Sequence, residues 1–242
     1  MPLTSPEICP LGISGLLVRF ARDLSDEANA HALAFRDQVS AAALPGVTDV
    51  IPALVSVHVT FDPDQTTRDR VTKDLQQLLA RNTGAVMAPR RQWRIPVAFG
   101  PDHAPQLAEA AQLAGITPDQ AVADILTAKL RVIAIGFAPG QPYLGMLPGH
   151  WDMPRQPTLT PQMPRGALVV AVRQLIIFAA DAPTGWRHIG QTAFRVYQPD
   201  APEPFAFAPG DLVTFSQIAD DVLDGLKNRT DTNGGAICEV LR

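Results

Sequence analysis

Three short segments carry side chains whose types and spacing can do chemistry. The densest is GFAPGQPYLGMLPG, Gly136 to Gly149. Gly136, Gly140 and Gly145 permit positive φ and close backbone approach there, while Pro139 and Pro142 stiffen the loop. Phe137 and Tyr143 can wall an apolar slot, and a rigid loop with exposed backbone donors suits recognition of a planar amide or carboxylate. Gly136, Phe137, Pro139, Gly140, Gln141 and Tyr143 are therefore candidate substrate-binding residues. The same residues can instead pack a barrel corner with their own rings, and spacing alone leaves both readings open.

In the second segment, Thr184 to Thr192, Gly185 and Gly190 bracket Trp186, Arg187 and His188. One turn would then offer an aromatic face, a fixed cation able to grip a carboxylate through two hydrogen bonds, and an imidazole able to relay a proton near neutral pH. The alternative is that Trp186 plugs a barrel while Arg187 and His188 face water. The third segment is Met153-Pro154-Arg155, where Pro154 would fix an arginine close to the first loop. His188, Arg187 and Arg155 are the candidate catalytic residues, with Trp186 joining the substrate-binding set.

Other chemistries have no sequence support. There is no GxxxxGK[ST], no GxGxxG after a strand, no GxSxG and no HExxH. The five histidines show no metal-ligand spacing, so no metal site is expected, and Cys9 and Cys238 lie too far apart in sequence for a CxxC site or a disulfide framework. A formal net charge of −4 gives no field to attract polyanions, and the small Arg90, Arg91, Arg94 cluster reads as solvated, so no nucleic-acid partner is expected. Met1 to Gly15 lacks the pattern of a signal peptide, and no apolar run approaches the ~18 residues of a membrane span. A cytoplasmic protein with no membrane partner is the expectation.

The scaffold must come from 242 residues that are 46% hydrophobic and 18% charged, enough for a real core. Twenty-three prolines, about a tenth of the chain, argue against a helical bundle. Seven of them, Pro139, Pro142, Pro148, Pro154, Pro157, Pro161 and Pro164, fall in the region of the candidate site. Strands are expected at Leu16 to Phe20, Val47 to Ile51, Ala53 to Phe61 and Trp93 to Phe99. Helices are expected after Ser25, which can cap Asp26 and Glu27, and over Thr66 to Ala80. The order strand, helix, strand, strand, helix, strand is a ferredoxin-like arrangement. It places a first domain at residues 1–90, with a linker from Arg81 to Arg91.

Further on, a helix is expected over Pro105 to Ala114, and Thr117-Pro118-Asp119-Gln120 is a strong helix start. From Arg131 the pattern becomes short strands at Arg131 to Phe137, Ala167 to Arg173, Leu175 to Ala180, Ala193 to Tyr197 and Asp211 to Phe215. Their even spacing points to a closed β-barrel over residues 91–222, followed by a tail at 223–242. The expected class is α+β.

Taken together, GFAPGQPYLG (Gly136 to Gly145), Pro154-Arg155, Gly185 to Thr192 and Pro209-Gly210-Asp211 resemble, in order, the motifs of one family. Its members are called allophanate hydrolase subunit 1, KipI-like proteins, or the B subunit of 5-oxoprolinase. Pro45 to Val47, FDP (Phe61 to Pro63) and FGPD (Phe99 to Asp102) extend the resemblance over nearly the whole chain. It implies a ferredoxin-like N-terminal domain and a cyclophilin-like barrel. It also implies a component of an ATP-dependent hydrolase that opens 5-oxoproline or a urea-type amide, with ATP and Mg2+ shared among subunits and no biotin on this chain. The implied partners are a companion carboxyltransferase subdomain A/B-like subunit, a LamB/YcsF-like subunit and the small amide itself. A second branch of the family resembles an inhibitor of a sensor histidine kinase, which makes a regulatory binding protein the alternative. Ala236 to Arg242 is similar to the opening residues of the companion subunit. The sequence departs from the family at Gln141, where Phe is usual, and at Gln191, where Arg is usual, and Arg187 is the expected replacement for that cation.

Overall fold

The computed structural model describes residues 2–81, 91–229 and 233–241, in two compact units, Met1–Ala88 and Pro89–Arg242. Of the expected linker, Arg81 to Arg91, residues 82–90 lie outside the described residues.

In the first unit, β1 (Pro2–Leu11) and β2 (Gly15–Ala21) precede α1 (Asp26–Ala42), β3 (Val47–Ala53), β4 (Ser56–Phe61) and α2 (Arg68–Arg81). The sheet order is β1-β2-β4-β3, with every neighbour antiparallel. Alternation in β2 and β4 puts Leu16, Val18, Phe20, Val57, Val59 and Phe61 on one face, against Phe35 and Val39 of α1 and Val71 and Leu75 of α2. Ser25 caps α1 as expected, accepting from the Ala28 N–H.

The ferredoxin-like order is altered. Its closing strand is not Trp93 to Phe99, which belongs to the second unit, but β1 from the N-terminal side. Proline cannot donate to a sheet ladder, so a run with Pro2, Pro6 and Pro10 does not look like a strand in sequence, yet it is tolerated here because β1 is an edge.

The second unit contains β5 (Arg91–Val97), α3 (Leu107–Ala114), α4 (Pro118–Thr127), β6 (Leu130–Ile135) and β7 (Pro142–Gly145). These are followed by β8 (Thr160–Met163), β9 (Ala167–Ala171), β10 (Gln174–Ile177), β11 (Ala182–Thr184), β12 (Arg187–Gln191), β13 (Leu212–Gln217), α5 (Asp220–Lys227) and β14 (Ile237–Val240). Eight strands run in the order β12-β9-β10-β7-β6-β13-β5-β14, and β8 pairs with β11 in a separate ribbon. One antiparallel bridge, Ala98 with Gln191, links the end of β5 to β12 through reciprocal N–H to carbonyl bonds of 2.9 and 3.0 Å.

Two apolar clusters lie on the two faces of β9 and β10. Leu168, Val170, Leu175 and Ile177 join the main core with Trp93, Ile95, Val213, Phe215 and the apolar sides of α3 and α4. Val169, Ala171, Ile176 and Phe178 face Met163 and Trp186. Thr117 and Gln120 form the expected capping box at α4.

Three expectations change. Residues 185–192, expected as a turn, are largely the strand β12, whose Gly190 is required by close approach, since a Cβ there would lie 2.8 Å from Val97 Cγ1. Ala193 to Tyr197 forms no strand and makes only the bridge of Tyr197 with Phe205. The segment expected as a tail supplies most of α5 and all of β14, which adds to the sheet on β5. No helix among the described residues is long and apolar enough to cross a membrane.

Asp211 ties the sheet together. It is 4% exposed and accepts from Arg91 Nη2 at 2.6 Å, Arg91 Nε at 3.1 Å, Trp93 Nε1 at 3.3 Å and the Ala208 N–H at 2.9 Å. The carboxylate beside it raises the Arg91 pKa above its ordinary value. Because Asp211→Ala would strand a partly buried guanidinium and a buried indole N–H, it should cost about 3 kcal/mol of unfolding free energy. Urea denaturation measures this, and a loss below about 1 kcal/mol would contradict the role given to Asp211.

Candidate functional site

The first loop and the third segment meet on the outer face of β9 and β10. The Gly136–Gln141 turn is closed by Gly136 N–H to Gln141 O (3.1 Å) and Gln141 N–H to Ala138 O (3.1 Å). It delivers Phe137, Gln141 and Tyr143 to a cavity of about 210 Å³, completed by Arg155, Ile176, Phe178, Thr184 and Trp186. That volume suits a ligand smaller than the drug-sized molecules of ~300–1,000 Å³ sites.

The walls are apolar and the polar groups few. The Trp186 ring lies edge-on to Tyr143 at 6.1 Å, and the Arg155 guanidinium sits over the indole, 5.5 Å from its centroid. Gln141 is buried, and its Oε1 accepts from the Ala179 N–H at 3.3 Å, while its carboxamide nitrogen has no partner among the described residues. The Tyr143 hydroxyl is likewise unpartnered among them. Burial pushes the Tyr143 phenol up, opposed by the Arg155 charge, so at neutral pH it is a protonated donor. A neutral phenol, a carboxamide N–H and one guanidinium therefore line the same small space. This set can bind a carboxylate together with a neutral amide oxygen.

A relay of side chains fixes the segment that carries Arg155. The Gln156 N–H donates to Gly185 O (2.6 Å), and its Nε2 to Trp186 O (3.0 Å). Its Oε1 accepts from Gln106 Nε2 at 2.6 Å, and Gln106 Oε1 in turn accepts from the His188 N–H at 2.8 Å. Arg187 completes the clamp, donating from Nη1 to Pro154 O (2.7 Å) and from Nε to Glu109 Oε1 (2.8 Å).

Five of the ten candidate residues, Phe137, Gln141, Tyr143, Arg155 and Trp186, thus share one cavity, and five do not line it. Arg187 is buried in its pairing with Glu109 and is no free cation. His188 is buried, and its Nε2 has no hydrogen-bond partner among the described residues. Gly136 begins the turn, Pro139 is exposed, and Gly140, at φ +71°, is pressed against Val196 O and Tyr197. The sequence reading missed Gln106 and Gln156. Their one signal was a glutamine at the N-cap of α3, a poor capping residue.

The comparisons with known proteins agree with this architecture. The fold is a mixed α+β arrangement shared with part of a longer chain: the Kluyveromyces lactis urea amidolyase structure matches with a TM-score of 0.76 at 15% identity, over 98% of this chain and 16% of that one. The TTHA0988 crystal structure matches with a TM-score of 0.73 at 31% identity over 84% of this chain, which spans only 40% of that protein. Two curated relatives are named as the B subunit of 5-oxoprolinase. The Bacillus subtilis protein is 27% identical over 88% of this chain and 93% of its own length. The Escherichia coli O157:H7 protein is 30% identical over 71% and 78%. Residues 6–207 match the family described as carboxyltransferase domain, subdomain C and D, and the chain belongs to that family, the group of 5-oxoprolinase B subunits and KipI-like proteins.

His188, although outside the cavity, gives the second unit a pH signature. Burial holds its imidazole below the usual range, reinforced by the His103 and Lys227 charges and opposed by the Gly190 backbone and the Gln191 side chain. Its folded-state pKa thus lies below the unfolded value of ~6.5, so the unfolded chain takes up the proton first as pH falls. The stability His188 contributes is complete above that value and is lost as pH drops through it toward the depressed folded value. The stability gap between wild type and His188→Gln, measured by urea denaturation, should therefore narrow from pH 8 to pH 5.5. A constant gap would show that the imidazole is not held neutral.

Proposed function

We propose that this chain is a non-autonomous subunit of an ATP-dependent complex that opens a small lactam or urea-type amide, with 5-oxoproline, opened to glutamate, as the leading substrate. The observation that carries this reading is the convergence of Gln141, Tyr143 and Arg155 on one small cavity walled by Trp186, Ile176 and Phe178. Arg155 takes the substrate carboxylate in a charge-assisted pair. Tyr143 and the Gln141 carboxamide donate to the amide oxygen, where charge grows as the ring opens. Arg187, Gln156 and Gln106 are positioning residues that hold the Arg155 segment against Trp186. The relatives' names, each for one component of 5-oxoprolinase, support companion subunits, proposed as a carboxyltransferase subdomain A/B-like chain and a LamB/YcsF-like chain.

ATP supplies the driving force for opening a stable amide. The 210 Å³ cavity, with a single cation among its lining residues, does not fit a nucleoside triphosphate beside a substrate, so ATP acts from outside that cavity. The same reading takes residues 1–90 as a ferredoxin-like domain with its fourth strand exchanged, and residues 91–222 as a cyclophilin-like barrel closed where Ala98 pairs with Gln191. A cytoplasmic location goes with it.

Co-expression with the two companion subunits should give ATP-dependent glutamate release from 5-oxoproline. In that complex Arg155→Gln should raise KM roughly ten- to hundredfold, the equivalent of ~1.5–3 kcal/mol for a lost charged hydrogen bond, and Arg155→Lys should recover part of it. No release from a correctly assembled complex would overturn the substrate assignment.

Phe137 tests the cavity separately. It is 74% exposed and held at φ 72°, a left-handed conformation that costs a non-glycine residue ~1 kcal/mol or more. Phe137→Gly should leave thermal stability unchanged or slightly raised while weakening substrate binding severalfold. Equal binding by both proteins would remove Phe137 from the site.

A further inference from the structure

A second concave region shares no lining residue with this cavity, and its chemistry differs. A cavity of about 590 Å³ is lined by residues 164–166, 179–181 and 191–195 together with Lys227. A neighbouring cavity of about 450 Å³ runs along Tyr197 to Ala201. Arg165 and Arg195 line both, so the two hollows form one groove with a pair of guanidiniums at its waist.

The main chain around these arginines is tightly fixed while their side chains are not. The Arg165 N–H donates to Asp181 Oδ1 at 2.8 Å, and its carbonyl accepts from Gln191 Nε2 at 2.8 Å. Gly166, at φ +79°, lets this turn press on residue 192, where a Cβ would strike the Thr192 carbonyl, and the Thr192 N–H donates to Gly166 O at 2.9 Å. Arg195 follows Phe194, which is buried and whose N–H donates to Thr192 Oγ1 at 3.1 Å. Neither guanidinium has a hydrogen-bond or ion-pair partner among the described residues, although Arg195 is half-buried.

Charge is concentrated here against the trend of the molecule. The 590 Å³ cavity carries Arg165, Arg195 and Lys227 against Asp181 alone, in a chain whose net charge is −4. Among the described residues Lys227 pairs only with Asp224 on its own helix, at 3.6 Å. At the other end, in the hollow that also holds Asp200, the Tyr197 ring leans on the half-exposed Phe205 at 5.2 Å with the rings tilted 35°, which leaves an aromatic surface beyond the arginines.

We propose that this groove binds a phosphoanhydride, a chain of two or more phosphates spanning Arg165, Arg195 and Lys227. A single carboxylate would satisfy one guanidinium and leave the other unpaired. A linear polyanion presents oxygen pairs to both arginines and to the ammonium at once. The aromatic face beyond the arginines leaves room for a group attached to the phosphate chain. The inference is independent of the lactam reading, since it uses none of the residues lining the smaller cavity.

The test is calorimetric titration of the full chain, without companion subunits, in low-salt buffer. The probes are pyrophosphate, tripolyphosphate, Mg-free ATP, sulfate, acetate and a short polyglutamate peptide. Tripolyphosphate should bind at least tenfold more tightly than sulfate or acetate. Arg165→Gln combined with Arg195→Gln should cut that affinity more than tenfold, Lys227→Gln severalfold, and Arg155→Gln not at all. An unchanged melting temperature in the double variant keeps the result from being a folding defect. ATP binding more tightly than tripolyphosphate, with the advantage lost in Tyr197→Ala, would place a nucleoside on the aromatic face, and equal affinities would assign the groove to the phosphate chain alone. Either result upholds the phosphoanhydride site. Equal binding of sulfate, preference for polyglutamate, or affinity that survives the double arginine variant would overturn it.

Discussion

Gln106 uses both ends of one carboxamide to hold other segments in place. Its oxygen accepts from the main chain of β12 at His188, and its nitrogen donates to Gln156, while its own N–H donates to His188 O at 2.9 Å. A residue at a helix N-cap ordinarily turns its side chain back onto the first turn of its helix, and Gln106 makes no such bond. The helix start forgoes a local hydrogen bond worth ~1 kcal/mol, and three segments distant in sequence gain a fixed register. The Arg155 segment depends on that register, and with it the position of the cation above Trp186.

The same division separates residues that act from residues that position. Arg187 has the guanidinium that carboxylate recognition calls for, but Glu109 and the Pro154 carbonyl already occupy it. Releasing it for a ligand would break a pair in which the arginine is almost wholly buried, an unfavourable exchange. Among the described residues Arg155 has only a cation–π contact with Trp186 and the nearby Tyr143 hydroxyl for company, so it changes partners with little loss. Exposure and prior commitment, more than residue type, decide which arginine is available to a ligand.

Much of this was legible in the sequence because it rests on local signals. The alternation of Val57, Val59 and Phe61, the Ser25 cap and the Thr117 to Gln120 capping box are written within a few residues, and each is found in the structure. The glycine- and proline-rich loop likewise brought Phe137, Gln141 and Tyr143 to a shared cavity. What stayed hidden depends on partners far away in the chain. β1 is tolerable only because it lies on an edge, and β12 only because Gly190 clears Val97. The burial of His188 follows from packing that no spacing of residues reveals.

Position 191 shows how a local departure is resolved by the fold. Sequence reasoning expected Arg187 to replace a cation absent at Gln191, yet Arg187 faces Glu109. Gln191 is itself buried, and its Nε2 divides between Arg165 O at 2.8 Å and Thr192 O at 3.2 Å. A neutral carboxamide can join those two carbonyls without bringing a charge into the wall, where an unpaired ion would cost several kcal/mol. By gripping Arg165 through its main chain, Gln191 leaves the neighbouring guanidinium free to face the groove, where Arg195 lines the same cavity. The positive charge of this region is therefore carried by partly exposed side chains that line both hollows, and Gln191 supplies the rigidity that keeps the main chain of one of them in place.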